Sequence, residues 1–294
     1  MRLGAEFQAH LDTGVTTLCR CWLLQRADGV SYGFTDHDCE LSFDGVAFKA
    51  GSGMSATALQ QATGLSVDNT EALGALSDAA LSEADIEAGR FDDARLRCWL
   101  VNWADPAQRA LQFAGSLGEL TRSGGAFQAE LRGLTDLLNQ PFGRVYQKPC
   151  SAVLGDGACG FELSTPGYVA EVVAQEVEER RVFRFDALPG YEAGWFTRGR
   201  LDVTGGAAAG LRGVVKKDYV EDGQRVIELW APLGAEVATG VGLRLIAGCD
   251  KRFETCRVKF DNLLNFQGFP DIPGDDWTAA YPASASVTDG GSRR

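Results

Sequence analysis

A mainly β fold with a minor helical part follows from three features of the sequence. Thirty-six glycines in 294 residues, many of them in Asp-Gly or Gly-Gly pairs, call for many tight turns. Runs rich in Val, Thr, Leu and aromatic residues flank those pairs, as strands do. Helical spacing of apolar residues shows in one short stretch only. Apolar residues at 45% and charged residues at 23% are ordinary for a soluble globular protein, so neither a disordered nor a fibrous class is indicated. The expected architecture is two antiparallel β-barrel or sandwich-like domains with short helices and a C-terminal cysteine-cluster region, a length that suits two packed units.

Taken in order, Val15 to Gln25 reads as a strand, Asp28-Gly29 as its turn and Val30 to Thr35 as the return strand; Glu40 to Phe43, Asp44-Gly45 and Val46 to Ala50 repeat the design. From Ser77 the acidic residues Asp78, Glu83, Asp85 and Glu87 interleave with Ala79, Ala80, Leu81, Ala84 and Ile86 at helical spacing, and Gly89 stops the helix. A strand over Arg95 to Trp103 ends at Asp105-Pro106, and Leu117 to Thr121 with Phe127 to Leu131 forms a hairpin around Gly124-Gly125. Alternation then ceases. A second β-rich stretch takes up part of Tyr168 to Phe185, Gly199 to Thr204, Val214 to Val220 turned through Asp222-Gly223 onto Val226 to Trp230, and Leu243 to Ala247. The predicted organisation is an N-terminal β-rich domain over 1–147, a first cysteine loop over 148–163, a second β-rich domain over 164–247, a second cysteine loop with an extended segment over 248–281, and a frayed tail over 282–294.

The formal charge of −12 argues against a surface that grips nucleic acid, because phosphate binding draws on Lys and Arg displacing counterions. No stretch approaches the roughly 20 apolar residues needed to span a bilayer. Met1 to His10 has no apolar signal core, so the chain is expected to stay in a reducing cytoplasm, where clustered cysteines point to metal more often than to disulfides.

Eight cysteines are present. Cys150 and Cys159 are separated by eight residues and Cys249 and Cys256 by six, each pair in a Gly-containing loop after strand-like sequence. Four soft thiolates from two loops are the donor set of an iron–sulfur cluster or a structural zinc ion. Zinc knuckles usually space their cysteines two to four residues apart, so the longer loops suit a bulkier cluster, with Gly155, Gly157, Gly160 and Gly248 letting backbone amides approach the sulfurs. On spacing alone, small buried hydrophobes and disulfides remain open as readings. Cys19, Cys21 and Cys98 lie in strands and read as core packing, while Asp36-His37-Asp38-Cys39 reads as a capped turn at a strand end. His10 and His37 are the two histidines, and neither lies near a nucleophile signature; Asp92 and Asp93 read as a solvated turn, and Gly240 to Gly242 lacks the Lys-Ser/Thr of a phosphate loop. No catalytic residue is assigned.

The run Gly33-Phe34-Thr35-Asp36-His37-Asp38, then Phe43-Asp44-Gly45, Glu83-Ala84-Asp85-Ile86 through Trp99, Pro149-Cys150 through Leu154-Gly155-Asp156 to Cys159-Gly160, and above all Gly248-Cys249-Asp250-Lys251 through Cys256 to Lys259-Phe260, Asn262, Asn265-Phe266 and Gly268-Phe269-Pro270, resembles the phage-tail baseplate hub family of gene transfer agents and related prophages. The resemblance spans nearly the whole chain; Gln267 departs from the family's frequent Arg. It implies a structural, non-enzymatic tail-tip protein that forms a homotrimeric ring below the distal tail protein. Its further partners would be a downstream tail-tip or fibre protein, a tail-associated peptidase and the tape-measure protein; the acidic charge adds the expectation that DNA passes without tight binding, and the lack of a long apolar run that there is no membrane span. It also implies a 4Fe–4S cluster on Cys150, Cys159, Cys249 and Cys256, with structural zinc as the alternative cofactor. The implied location is the bacterial cytoplasm during assembly and then the tail baseplate. The competing function is a cytoplasmic iron–sulfur or zinc-binding protein with redox or peptidase-type activity.

Overall fold

The computed structural model describes residues 4–50, 69–72, 82–123, 126–133 and 143–272. The chain divides into a unit over Met1–Pro141 and a unit over Phe142–Arg294, each built on one sheet.

The first unit opens with helix α1 (Ala5–Asp12), which buries Phe7 and which the sequence reading did not anticipate. Strands β1 (Leu18–Gln25) and β2 (Ser31–Thr35) form the first expected hairpin, and β3 (Leu41–Phe43) and β4 (Val46–Lys49) the second. Asp44 and Gly45 both take positive φ, 50° and 75°, as the right-handed twist of a two-residue hairpin demands. The remaining strands are β5 (Asn69–Ala72), β6 (Arg95–Asn102), β7 (Arg109–Ser123) and β8 (Ala126–Gly133), with α2 (Glu83–Glu87) before β6. The part of the expected helix over 77–81 lies outside the described residues.

The eight strands run in the order β3-β4-β2-β1-β6-β7-β8-β5. All pairings are antiparallel except β2 with β4, where Gly33 faces Phe48. A Cβ at Gly33 would sit 2.3 Å from the Ala47 carbonyl oxygen, so only glycine permits this approach. The sheet buries both faces: Trp22, Leu24, Phe34, Phe91, Leu96 and Cys98 pack on one, and Cys19, Cys21, Leu41, Phe43, Phe48 and Val101 on the other. Cys19, Cys21 and Cys98 are thus core residues, as their strand positions suggest.

The second unit contains β9 (Val169–Val173), β10 (Glu176–Glu178), β11 (Val182–Asp186), β12 (Arg200–Val203), β13 (Arg212–Glu221), β14 (Gln224–Leu229) and β15 (Gly242–Ile246). Their order is β10-β11-β14-β13-β12-β15-β9, all antiparallel, so the last strand inserts between β12 and the first. The core holds Phe183, Phe185, Phe196, Leu201, Val215, Ile227, Leu229, Leu243 and Leu245. One charged pair is wholly buried within it. Arg225 donates twice to the Asp218 carboxylate, at 2.5 and 2.6 Å, and once each to the Tyr191 and Glu192 carbonyls, while Asp218 also accepts from the Phe196 amide. With all three guanidinium nitrogens engaged, the pair clamps the segment 191–196 onto the sheet instead of standing as an uncompensated charge. Beyond β15 come α3 (Phe253–Val258) and a 3₁₀ turn over Leu263–Asn265. Cys256 therefore stands on a one-and-a-half-turn helix where the sequence reading expects a loop.

Candidate metal centre

Strand β15 ends at Ile246, and Gly248 passes under the Thr197 carbonyl so closely that a Cβ there would lie 1.7 Å from its oxygen. That contact fixes where Cys249 leaves the sheet. Lys251, two residues on, takes φ 67°, a conformation non-glycine residues seldom adopt, and the chain turns into α3 to present Cys256. The first cysteine segment is held differently. The Asp156 carboxylate accepts the backbone amides of Cys159, Val153 and Ala158 at 2.7, 2.8 and 3.0 Å, and these donors, Cys159 first, hold its carboxyl below the usual carboxylate range. Gly155 and Gly160 take φ 83° and 62° at the two bends of this loop.

The two segments meet. The Cys150 amide donates to the Lys251 carbonyl at 2.8 Å, and Lys251 Nζ donates to the Ala152 carbonyl. Cys150, Cys159, Cys249 and Cys256 all line one pocket with Ala152, Leu154, Phe260 and Phe266, about 340 Å³ with the open solvent at its mouth included. All four are free thiols and partly buried. Burial raises the Cys256 thiol to about 11, with the neighbouring thiols of Cys150, Cys249 and Cys159 adding to the effect. Burial also pushes Cys249 up, against the opposing hydrogen bond from the Lys251 amide.

Polar hydrogens reach the sulfurs from the third segment to arrive. The Gln267 amide lies 3.4 Å from Cys150 Sγ, and Asn262 Nδ2 lies 3.5 Å from Cys159 Sγ and 2.7 Å from the Cys159 carbonyl. The amides at the sulfurs thus belong to Lys251 and Gln267, not to the glycines the sequence singled out; those glycines serve the bends and the Thr197 approach. Asn262 belongs to the residues of the family resemblance, but the sequence reading gave it no role, since a single Asn in irregular chain is indistinguishable from a turn residue. Beside the pocket, Phe260 stacks on Tyr168 and Phe161 meets both rings edge-on. The Tyr168 hydroxyl donates to the Lys259 carbonyl at 2.6 Å, anchoring the end of α3.

Among the described residues, no three His, Cys, Asp or Glu side chains converge tightly enough to hold one metal ion. The Cys39 amide donates to His37 Nδ1 at 2.9 Å, a capped turn, and the Thr17 amide donates to His10 Nε2 at 3.1 Å, tying α1 to the start of β1. Asp92 and Asp93 lie in an exposed turn in which Asp93 takes φ 55°.

Fold and site together define a mainly β protein with a four-thiol centre in its second unit. Residues 4–162 match the family model described as baseplate hub protein, N-terminal attachment domain, and residues 194–276 match one described as phage conserved hypothetical protein BR0599. The chain belongs to the baseplate hub protein family. It is similar to a chain in the solved structure of the virion of a native gene transfer agent (GTA) particle, with 56% identity, a TM-score of 0.90, and coverage of 98% of this chain and 99% of that one. No curated protein matches it.

Proposed function

We propose that this chain is a structural hub of a phage-like, GTA-type tail baseplate, forming a homotrimeric ring below the distal tail protein, and that a 4Fe–4S cluster on Cys150, Cys159, Cys249 and Cys256 staples its second unit. The observation that carries the hub role is the near full-length similarity to a chain of a GTA virion. In that position the chain contacts the tape-measure protein, a downstream tail-tip or fibre protein and a tail-associated peptidase, does no chemistry of its own, and moves from the cytoplasm of assembly into the particle. Particle cryo-microscopy tests the placement; finding the protein only as a soluble monomer beside finished particles overturns it.

The donor set suits a cluster. Four thiols from segments about ninety residues apart line one pocket. Structural zinc usually takes cysteines two to four residues apart, and the separations here are eight and six. Amide hydrogens from Gln267, Lys251 and Asn262 offset the negative charge that thiolate-ligated iron carries. When bound, the cluster supplies bonds that join 150–159 to 249–256, a crosslink stable in a reducing compartment where a disulfide is not.

Anaerobic purification with iron and sulfide analysis tests this. The expected result is about four irons and four sulfides per chain with visible absorption near 400 nm, roughly where such clusters absorb. Cys256→Ser should lower the iron content and destabilise the second unit, whereas Cys98→Ser in the first unit should keep the iron and cost only about 1–2 kcal/mol of packing. Stoichiometric zinc without iron, or a metal-free protein whose Cys150→Ser variant is as stable as the parent, overturns the cluster.

A further inference from the structure

A second recess shares Arg252 with the lining of the thiol pocket. It is lined by Gly194, Thr197, Arg198, Gly248, Asp250, Arg252, Thr255 and Lys259, and encloses about 640 Å³ with the open solvent at its mouth included. Three cations face one carboxylate there, a local surplus of two positive charges on a chain whose formal charge is −12. Such a concentration against the overall sign is a focused field for an anion.

The cations are placed by backbone. Arg198 takes φ 64°, and its amide donates to the Val215 carbonyl at 2.9 Å, so the residue is pinned to the sheet in a conformation that non-glycine residues adopt at some cost. Its guanidinium makes one long contact, 3.4 Å, to the Asp250 carbonyl, which leaves most of its five N–H donors for a ligand. Lys259 Nζ is seated by the Trp195 and Gly248 carbonyls at 2.6 and 2.9 Å over the Trp195 ring, with its third hydrogen spare. Arg252 Nε lies 3.8 Å from Asp250, too far for a hydrogen bond. Thr197 and Thr255 add two hydroxyls to the lining. The recess thus gathers fork-shaped and point-charge donors with two hydroxyls, the donor types that recognise phosphate.

We infer that this recess binds a phosphate-type dianion, a free phosphate or a phosphate monoester, between Arg198, Arg252 and Lys259. Two guanidinium forks and an ammonium can engage the three unblocked oxygens of a phosphate monoester, and a backbone phosphodiester of nucleic acid, with one charge and two blocked oxygens, is the poorer ligand. The inference does not rest on the cluster, and its probes are different.

The test is calorimetric titration of the full-length chain, purified anaerobically, with inorganic phosphate, methyl phosphate and dimethyl phosphate at neutral pH. Saturable one-to-one binding of the first two is expected, falling as salt rises, with dimethyl phosphate at least about tenfold weaker because it carries half the charge. Arg198→Gln together with Arg252→Gln should weaken phosphate at least about tenfold. Arg244→Gln removes the same kind of charge from β15 outside the recess and should leave binding unchanged; circular dichroism and thermal unfolding show whether each variant is folded. Absence of saturable binding to the folded parent chain, or equal affinity in the folded double variant, overturns the site. Equal affinity for dimethyl phosphate overturns the dianion assignment.

Discussion

At the scale of single residues, most of the chemistry was written where it could be read. Cysteine is scarce enough that two spaced pairs stand out, and the structure brings all four to one pocket. The roles of Lys251 and Asn262 were not readable, because the Lys251 carbonyl takes the Cys150 amide and the Asn262 side chain reaches Cys159 across about a hundred residues of chain. In the first unit, Arg26 is buried and pairs with Asp28 and with Asp85, the latter at 3.0 Å. The hydrogen bond from Arg26 is the main reason the Asp28 carboxyl is held below its ordinary range. A carboxyl depressed in the folded state contributes stability that is complete above the ordinary carboxylate pKa and is lost as pH falls through the depressed value. Unfolding followed from pH 7 to pH 3 should therefore show the parent losing more stability than Asp28→Asn, which has no such proton to take up. Equal slopes would show that the pair adds nothing, as exposed partners often do.

Elements were legible where turn chemistry is local. The Asp-Gly pairs at 28–29, 44–45 and 222–223 each close a hairpin, with Gly29, Gly45 and Gly223 at φ 90°, 75° and 82°. Helices α1 and α3 escaped because eight and six residues carry too few turns for a period to show, and α1 buries Phe7 alone. Strand partners at long separation escaped too. Nothing local says that β4 runs parallel to β2, yet that pairing makes Gly33 indispensable. Gly33→Ala should force β2 and β4 apart and cost several kcal/mol, well beyond the roughly 1 kcal/mol typical of a point change, since the atom met is backbone and cannot swing aside. Gly29→Ala has open space around it and should cost only the strain of its positive φ. Chemical denaturation of the two variants checks the contrast; equal costs would mean that the parallel pair is not formed.

For the whole molecule, charge is the plainest statement. At −12, the surface repels a polyanion, and the recess beside the thiols is too small and too local to reverse that. Anisotropy titration with duplex DNA at physiological salt should give no submicromolar affinity, and a tight complex would contradict passage without gripping. The order of strands in the second sheet has a consequence in time. Among the described residues strand β9 has one neighbour, β15, the last strand of the sheet in chain order, and from Val173 to Gly242 the ribosome must add about 70 residues. At about 5–20 residues per second, the nascent chain carries an unclaimed β edge for about 4–14 s, and the interval closes only when the strand leading into Cys249 has emerged. The unit is thus finished by its last strand, and a transcript truncated before residue 242 yields a chain with an open edge and a half-built thiol pocket, a substrate for quality control before it is a part for a tail.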